Sequence, residues 1–304
     1  MRKHIAILTG GTSSERSVAL RSAEHVREAL SSFADVEVFD FPRDLDTFLL
    51  VRSSFVIVVP IFHGRGGEDG TIQGFLEMLS IPYIFSGIQA HSTGMDKALC
   101  KQLMRAHGFY TKDWRVLSSY DSYQWHGPVV VKPLDQGCSL GVSLVQHKDD
   151  LAPLLRLAFE TQGQVLVEEL IAGSEFTVAV AQVEGETVAL PVIEIRSKKT
   201  FFDYESKYDP NLCDELCPAP IEDALARRLQ NVALNAHALI GAKHLSRTDL
   251  MVDQQGEIWF LEINTIPGLT KDSLTPKAIL AGGETLERLL GGWIEDVLQN
   301  KKKA

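Results

Sequence analysis

Asp249, Glu262 and Asn264 are the residues of this chain whose types and spacing speak most directly of chemistry. Glu262 and Asn264 stand two apart in a strand-like stretch and so share one face. A hairpin turning on Gln255-Gly256 places Asp249 opposite Glu262, whereas a longer loop would shift that register. Three oxygen ligands then converge at one end of a two-stranded ribbon. Such a set suits a hard divalent ion, which keeps its other positions for water and phosphate. Without a cation between them, opposed carboxylates repel. The same residues could also form only a polar face on an exposed hairpin. Arg247 lies two residues before Asp249, on the same face, where a guanidinium could hold a phosphate or a developing oxyanion, or simply a salt bridge.

Other segments carry weaker signals. Asn264-Thr265-Ile266-Pro267-Gly268-Leu269-Thr270 holds a Pro-Gly turn that could present N–H groups to an anion or be a plain β-turn. Lys132 ends the apolar run Val129-Val130-Val131, where it could reach a phosphate or snorkel to the surface. The small residues of Asp135 to Gly141 would allow a loop over phosphates, although they match neither common phosphate-loop pattern. Gly10-Gly11-Thr12-Ser13-Ser14-Glu15 follows a strand and opens a helix. Thr12 and Glu15 have capping-box spacing, so Glu15 reads either as an amine ligand or as a cap. His63 to Gly70 has four glycines in eight residues, which implies close backbone approach or positive φ. His63 could be a base, a substrate contact or a turn residue, and Glu68 and Asp69 favour a helix N-terminus.

Elements must position these groups. His4–Thr9, Val36–Phe39, Phe55–Pro60 and Ile81–Phe85 read as strands, with helices at Ser17–Ser31 and Thr71–Leu79 between them. That alternation predicts a parallel α/β layer. Helices are expected over Asp96–His107, Asp149–Thr161, Ala219–Leu239 and Leu286–Leu298. Strands are expected over Trp114–Leu117, Val129–Lys132, Gly141–Val145 and Val165–Leu170, and a hairpin of Phe176–Val183 with Val188–Ile195 across Glu184-Gly185. Arg196–Leu216 has no clear period, and a loop that long inside a domain is usually functional.

The chain has 304 residues, 45% of them apolar and 23% charged. At about 150 residues per domain this implies two or three domains. The composition excludes a disordered tail, a collagen, a coiled coil and a disulfide-rich secreted domain. A net charge of −10 argues against a broad nucleic-acid surface. Cys100, Cys138, Cys213 and Cys217 complete no zinc set and read as free thiols. Gly10-Gly11 cuts the first apolar run too early for a signal peptide, and Phe55–Val59 falls far short of the ~18 residues of a membrane span. The expected location is the cytoplasm.

Taken together, Gly10–Arg16, His63–Gly70, Met95-Asp96-Lys97, Lys132–Gly141 and Arg247–Leu274 resemble the D-alanine–D-alanine ligases of the ATP-grasp superfamily, in the expected order over nearly the whole chain. Phe202 to Tyr208 looks like that family's ω-loop. The resemblance implies an α/β chain (α+β in part) in three domains: an N-terminal parallel α/β domain at 1–95, a central ATP-grasp domain at 96–171, and a C-terminal ATP-grasp domain at 172–304 with the ω-loop near 196–216. It also implies ligation of two D-alanines through a D-alanyl phosphate, at the expense of ATP, for peptidoglycan precursors. Two Mg²⁺ ions, for which Mn²⁺ can substitute, and a homodimer come with it. So do the site roles. Lys97 and Lys132 would hold ATP phosphates; Lys207 would bind ATP from the loop; Glu168, Glu169 and Ile171 would read adenine; Glu175 would hold ribose. Asp249, Glu262 and Asn264 would bind the metals. Glu15, helped by His63, would hold the first D-alanine's ammonium, and Ser273 and Leu274 the second D-alanine's carboxylate. Arg247 and the Gly268 N–H would meet the oxyanion, with Tyr208 descending on the loop.

Three residues depart from the family pattern. Cys138 stands where a Ser usually joins Glu15 and a loop Tyr, and a thiol is the weaker donor. Gln136 replaces a common acidic residue, and Phe202 a common Tyr. Tyr208, rather than the Lys typical of D-alanine–D-lactate ligases, favours an amine as second substrate. A regulator without turnover is the competing class. A dinucleotide dehydrogenase is set aside because Gly10–Glu15 lacks the glycine spacing.

Overall fold

The computed structural model describes residues 2–119, 123–134, 141–161, 163–197 and 213–301. Gln136, Cys138, Phe202, Lys207, Tyr208 and the interior of the expected ω-loop lie outside the described residues.

Strands β1 (Lys3–Gly10), β2 (Ala34–Phe41) and β3 (Ile57–Ile61) form the parallel sheet, in the order β2-β1-β3. The crossover from β1 to β2 runs through α1 (Arg16–Leu30), whose Val18, Ala19, Ala23, Val26 and Leu30 face the core. Helix α2 (Leu45–Val51) follows β2, and α3 (Thr71–Met78) follows β3. The expected fourth strand at Ile81–Phe85 shrinks to a single parallel bridge, Val58 to Tyr83. Pro82 has no N–H for a ladder, and Ser80 and Phe85 at the two ends take left-handed backbone.

Two antiparallel sheets follow. The smaller has the order β4 (Trp114–Leu117), β7 (Val165–Glu169), β5 (Val129–Pro133), β6 (Ser143–Val145) and is backed by α6 (Lys148–Thr161). The larger joins β8 (Gly173–Val183), β9 (Glu186–Ala189), β10 (Ile193–Ser197), β11 (Cys213–Leu216), β12 (Leu245–Asp253) and β13 (Ile258–Asn264). Its central strand β8 pairs with both β9 and β10, so the expected second arm of the hairpin is two strands rather than one. Both described ends of the Arg196–Leu216 stretch are strand, since β10 pairs with β11 there.

Helices α4 (Ile88–Met95), α5 (Lys97–Ala106) and α7 (Asp223–Ile240) cover one face of the large sheet. Helix α8 (Leu274–Ala281), which the sequence reading did not anticipate, touches β8, and α9 (Leu286–Lys301) packs on α1 and β8. One apolar core therefore runs continuously from Ile5 and Ile7 of β1 to Ala179, Leu245 and Trp293. Cys100 and Met104 of α5 join a second core under the large sheet, so α5 packs with the C-terminal layer. The small sheet has its own core of Val129, Val131, Val145, Leu155 and Val167. Among the described residues no helix is long and apolar enough to cross a membrane, and Cys100, Cys213 and Cys217 are free thiols.

Candidate active site

Two cavities meet between these layers. The first, of about 750 Å³, lies between the two antiparallel sheets and is lined by Lys97, Lys132, Glu168, Glu175, Asp249 and Glu262 among others. The second, of about 670 Å³, opens onto the parallel domain and is lined by Glu15, His63, Glu68, Asn264, Gly268 and Ser273 among others. Arg247 and Leu274 line both.

The acidic set forms as expected, by an unexpected route. Asp249 is opposite Glu262 and Arg247 opposite Asn264. Nearer the turn, however, Leu250 pairs with Phe260 and Val252 with Ile258. The hairpin loop has three residues, closed by the Asp253 N–H on the Glu257 carbonyl, with Gly256 left-handed. That shifts the register by one. A bulge at Leu261 then restores it at Asp249.

Side chains already compensate these carboxylates. Arg247 grips both oxygens of Asp249, Nε to Oδ1 at 2.9 Å and Nη2 to Oδ2 at 2.8 Å. Thr177, opposite Asp249 on β8, donates to Oδ1 at 2.5 Å, and Asn264 Nδ2 lies 3.3 Å from Oδ2. Lys97 Nζ stands 3.5 Å from Glu262. The repulsion that the sequence argument assigned to a metal is thus partly relieved by Arg247 and Lys97. The donor set is two carboxylates and an amide at the end of one ribbon, Asp249 and Glu262 on the wall of the first cavity and Asn264 on that of the second. Its oxygens are hard ligands, and it fits Mg²⁺ better than a softer ion.

Asp96 sets the place of Lys97. Its carboxylate accepts from Ala98 N (3.0 Å) and Leu99 N (2.9 Å), capping α5 so that Lys97 is the first helical residue. Asp96→Ala is expected to lower stability by about 1 kcal/mol. Urea unfolding checks this, and an unchanged midpoint would contradict it.

Lys132 does not snorkel. It is buried and ion-paired with Glu168 across neighbouring strands β5 and β7. A third member escaped the sequence reading: Lys101, fully buried on α5, lies 2.8 Å from the other oxygen of Glu168. The available signal was its spacing of four from Lys97 on a face shared with Cys100 and Met104. Burial opposes ionisation of Glu168, but Lys101 and Lys132 outweigh it and hold the carboxyl down at about 2. Burial pushes the Lys101 ammonium down, against the pull of Glu168. Glu169, the last residue of β7, is exposed and Ile171, two residues beyond, is buried, both on the wall of the first cavity. Glu175 lies opposite Met251 of β12.

In the second cavity, Glu15 is buried at the N-terminus of α1 and makes no side-chain cap bond, so the capping reading does not hold. The positive φ of Gly64 (+75°) marks its close approach, since an added Cβ would lie 3.2 Å from Glu15 Oε1. His63 is buried with both ring nitrogens engaged, Nε2 with Ser22 Oγ at 3.1 Å and Nδ1 with the Ile266 carbonyl at 3.1 Å. Ser273 Oγ lies 2.7 Å from Thr270 Oγ1, and a Cβ on Gly268 would sit 3.0 Å from Ser273 Oγ.

From its sequence position Glu68 signals only a helix start. It is a buried carboxyl that accepts from Gly64 N (2.9 Å) and Ile266 N (3.2 Å). Burial, and next the nearby Glu15, push it up to about 8 against those two N–H groups. Folding therefore takes up a proton here. The associated stability is full below the ordinary value of 4.5 and is lost as pH rises through about 8. Glu68→Gln should accordingly gain in melting temperature relative to the parent from about pH 5 to about pH 9. A constant difference across that range would contradict the assignment.

Comparisons with known proteins identify the family of the chain. The family model described as "D-ala D-ala ligase C-terminus" matches residues 101–295, and "D-ala D-ala ligase N-terminus" matches 43–86. The chain is 40% identical over 303 residues to a D-alanine–D-alanine ligase of Syntrophotalea carbinolica, covering 96% of each chain. It is 38% identical over 300 residues to one of Pseudoalteromonas translucida, covering 97% of each. A crystal structure of the Bacillus anthracis D-alanine–D-alanine ligase complexed with ATP superposes with a TM-score of 0.84 at 31% identity, covering 100% of this chain and 99% of that one.

Proposed function

Because this chain belongs to the D-alanine–D-alanine ligase family of the ATP-grasp class, we propose that its two cavities are the nucleotide and amino-acid halves of one active site. The reaction is the family's, an ATP-dependent ligation of two D-alanines to D-alanyl-D-alanine with release of ADP and phosphate. The observation that carries the site assignment is the junction. Arg247 and Leu274 line both cavities, where a phosphorylated carboxylate would have to meet an incoming amine.

A carboxylate does not condense with an amine in water, because its leaving group would be oxide. Transfer of the γ-phosphoryl group to the first D-alanine creates an acyl phosphate and a usable leaving group. In this reading Lys97 and Lys132 hold the phosphates, Glu168, Glu169 and Ile171 the adenine, and Glu175 the ribose. Asp249, Glu262 and Asn264 would hold two Mg²⁺ ions, with Mn²⁺ as a substitute, and bound magnesium supplies charge compensation during phosphoryl transfer. Glu15, with His63 beside it, faces the first D-alanine's ammonium. Ser273 and Leu274 hold the second D-alanine's carboxylate as its neutral amine attacks. Arg247 and the Gly268 N–H stabilise the resulting oxyanion. By the family resemblance, Lys207 and Tyr208 would come down on a loop that keeps water from the acyl phosphate, and Cys138 would take the place of the Ser that joins Glu15 and a loop Tyr.

The reading extends to a homodimer in the cytoplasm that serves peptidoglycan precursor synthesis, with no nucleic-acid or membrane partner. Its domains are 1–95, 96–171 and 172–304. The test is product identification by mass spectrometry after incubation with Mg-ATP and D-alanine, with and without D-lactate. D-Alanyl-D-alanine formed in preference to the ester supports the amine as second substrate. A predominant D-alanyl-D-lactate product would overturn that part.

A further inference from the structure

The Ile266–Leu269 turn is held at both ends by side chains of the parallel domain, from more than 190 positions away in sequence. The Leu269 N–H donates to Ser22 Oγ at 3.2 Å, and its carbonyl accepts from His25 Nδ1 at 2.8 Å. The Ile266 N–H donates to Glu68 Oε1 at 3.2 Å, and its carbonyl accepts from His63 Nδ1 at 3.1 Å. Ser22 Oγ also meets His63 Nε2 at 3.1 Å.

Donor logic gives this set a direction. A carbonyl only accepts, so Nδ1 of His63 carries a proton, and with the ring in its neutral form Nε2 then accepts. The Ser22 hydroxyl proton therefore points at Nε2, and its lone pair takes the Leu269 N–H. A closed chain results, from Leu269 through Ser22 and His63 back to Ile266. Between its two ends lies Pro267-Gly268. Ser22, His63 and Glu68 are buried, so an unmade bond in the ring would leave a desolvated polar group.

We propose that Ser22, His25, His63 and Glu68 are positioning residues that lock the Ile266–Leu269 turn and thereby aim the Gly268 N–H at the reacting centre. The inference rests on the assignment of Gly268 as an oxyanion donor. The domain that receives the first amino acid thus also fixes the group that activates its carbonyl. His63 acts in this ring through both nitrogens, as a clamp.

Steady-state kinetics on His25→Ala, His25→Asn and Ser22→Ala test it, with melting temperatures measured alongside. The Asn amide nitrogen sits where Nδ1 does, so His25→Asn retains the donor to Leu269. His25→Ala should lose roughly tenfold in kcat, less than the ~10²–10³ expected for removing an oxyanion donor outright. The KM for ATP should stay within about twofold, and His25→Asn should restore kcat to within about twofold of the parent. Ser22→Ala should show the same split, and it decides the matter alone if His25→Ala does not fold. A folded His25→Ala or Ser22→Ala with parental kcat overturns the proposal. So does a His25→Asn no better than His25→Ala at equal melting temperature. Arg247→Lys, assayed in parallel, separates the layers. If it is slow while the clamp variants are not, only the clamp fails. If it too is parental, the oxyanion assignment falls and the proposal with it.

Discussion

Arg247→Lys lowers kcat by about 10²–10³ while the KM for ATP changes little. The side chain is buried, spans the junction of the two cavities, and presents a planar fork that already fits both oxygens of Asp249. Lysine keeps the charge, so Asp249 is not left facing an empty space. What is lost is the second prong, and with it a donor fixed in direction before charge develops on the substrate. Steady-state kinetics with D-alanine and ATP varied separately check this. A kcat within about threefold of the parent would remove Arg247 from the oxyanion site.

Glu168→Gln is expected to cost about 3–5 kcal/mol of stability, because it strips the counter-charge from two buried ammonium groups at once. Lys101 and Lys132 both point at this carboxylate, one from a helix and one from the neighbouring strand. Repelling each other, they would either lose protons or draw apart, and Lys132 would leave the cavity wall it now lines. ATP affinity should fall with stability. The pH dependence gives a second signature. The Glu168 carboxyl is depressed from 4.5 to about 2, so its contribution is full above 4.5 and lost as pH falls through about 2. The parent should therefore lose stability more steeply than the variant over that acid window. Urea unfolding at two pH values, with an ATP titration, measures all three effects. A variant as stable as its parent and equally tight for ATP would contradict the triad's role.

The sequence was most legible where chemistry sits on regular elements. Alternating strands and helices revealed the parallel layer, and the two-residue spacing of Glu262 and Asn264 put them on one face. The Asp249–Glu262 pairing came out right although the turn did not. A three-residue loop and a bulge at Leu261 shift the register in opposite senses and cancel. Neither signals itself strongly: Gly256 fits both loop lengths, and an extra Leu in a strand looks like any other. Lys101 was hidden because a lysine on a helix normally reads as solvated. Its burial depends on Glu168, 67 positions away in the numbering of the chain. The grip of Ser22 and His25 on Leu269 spans 247 and 244 positions, and no local pattern encodes such contacts. The apolar residues of Ile81–Phe85 suggest a fourth parallel strand, but Pro82 has no N–H for a ladder and only the Val58–Tyr83 bridge forms.

The most direct test of the account follows oxygen rather than product alone. D-Alanine labelled with ¹⁸O in its carboxylate is incubated with Mg-ATP, and the phosphate and dipeptide are analysed together by mass spectrometry. Attack of the first carboxylate on the γ-phosphoryl group places its oxygen in the bridge of the acyl phosphate, which leaves with the phosphate. The account predicts one ¹⁸O in the phosphate for each D-alanyl-D-alanine formed. Unlabelled phosphate, or ATP turnover with no dipeptide, would contradict ligation through a D-alanyl phosphate at this site.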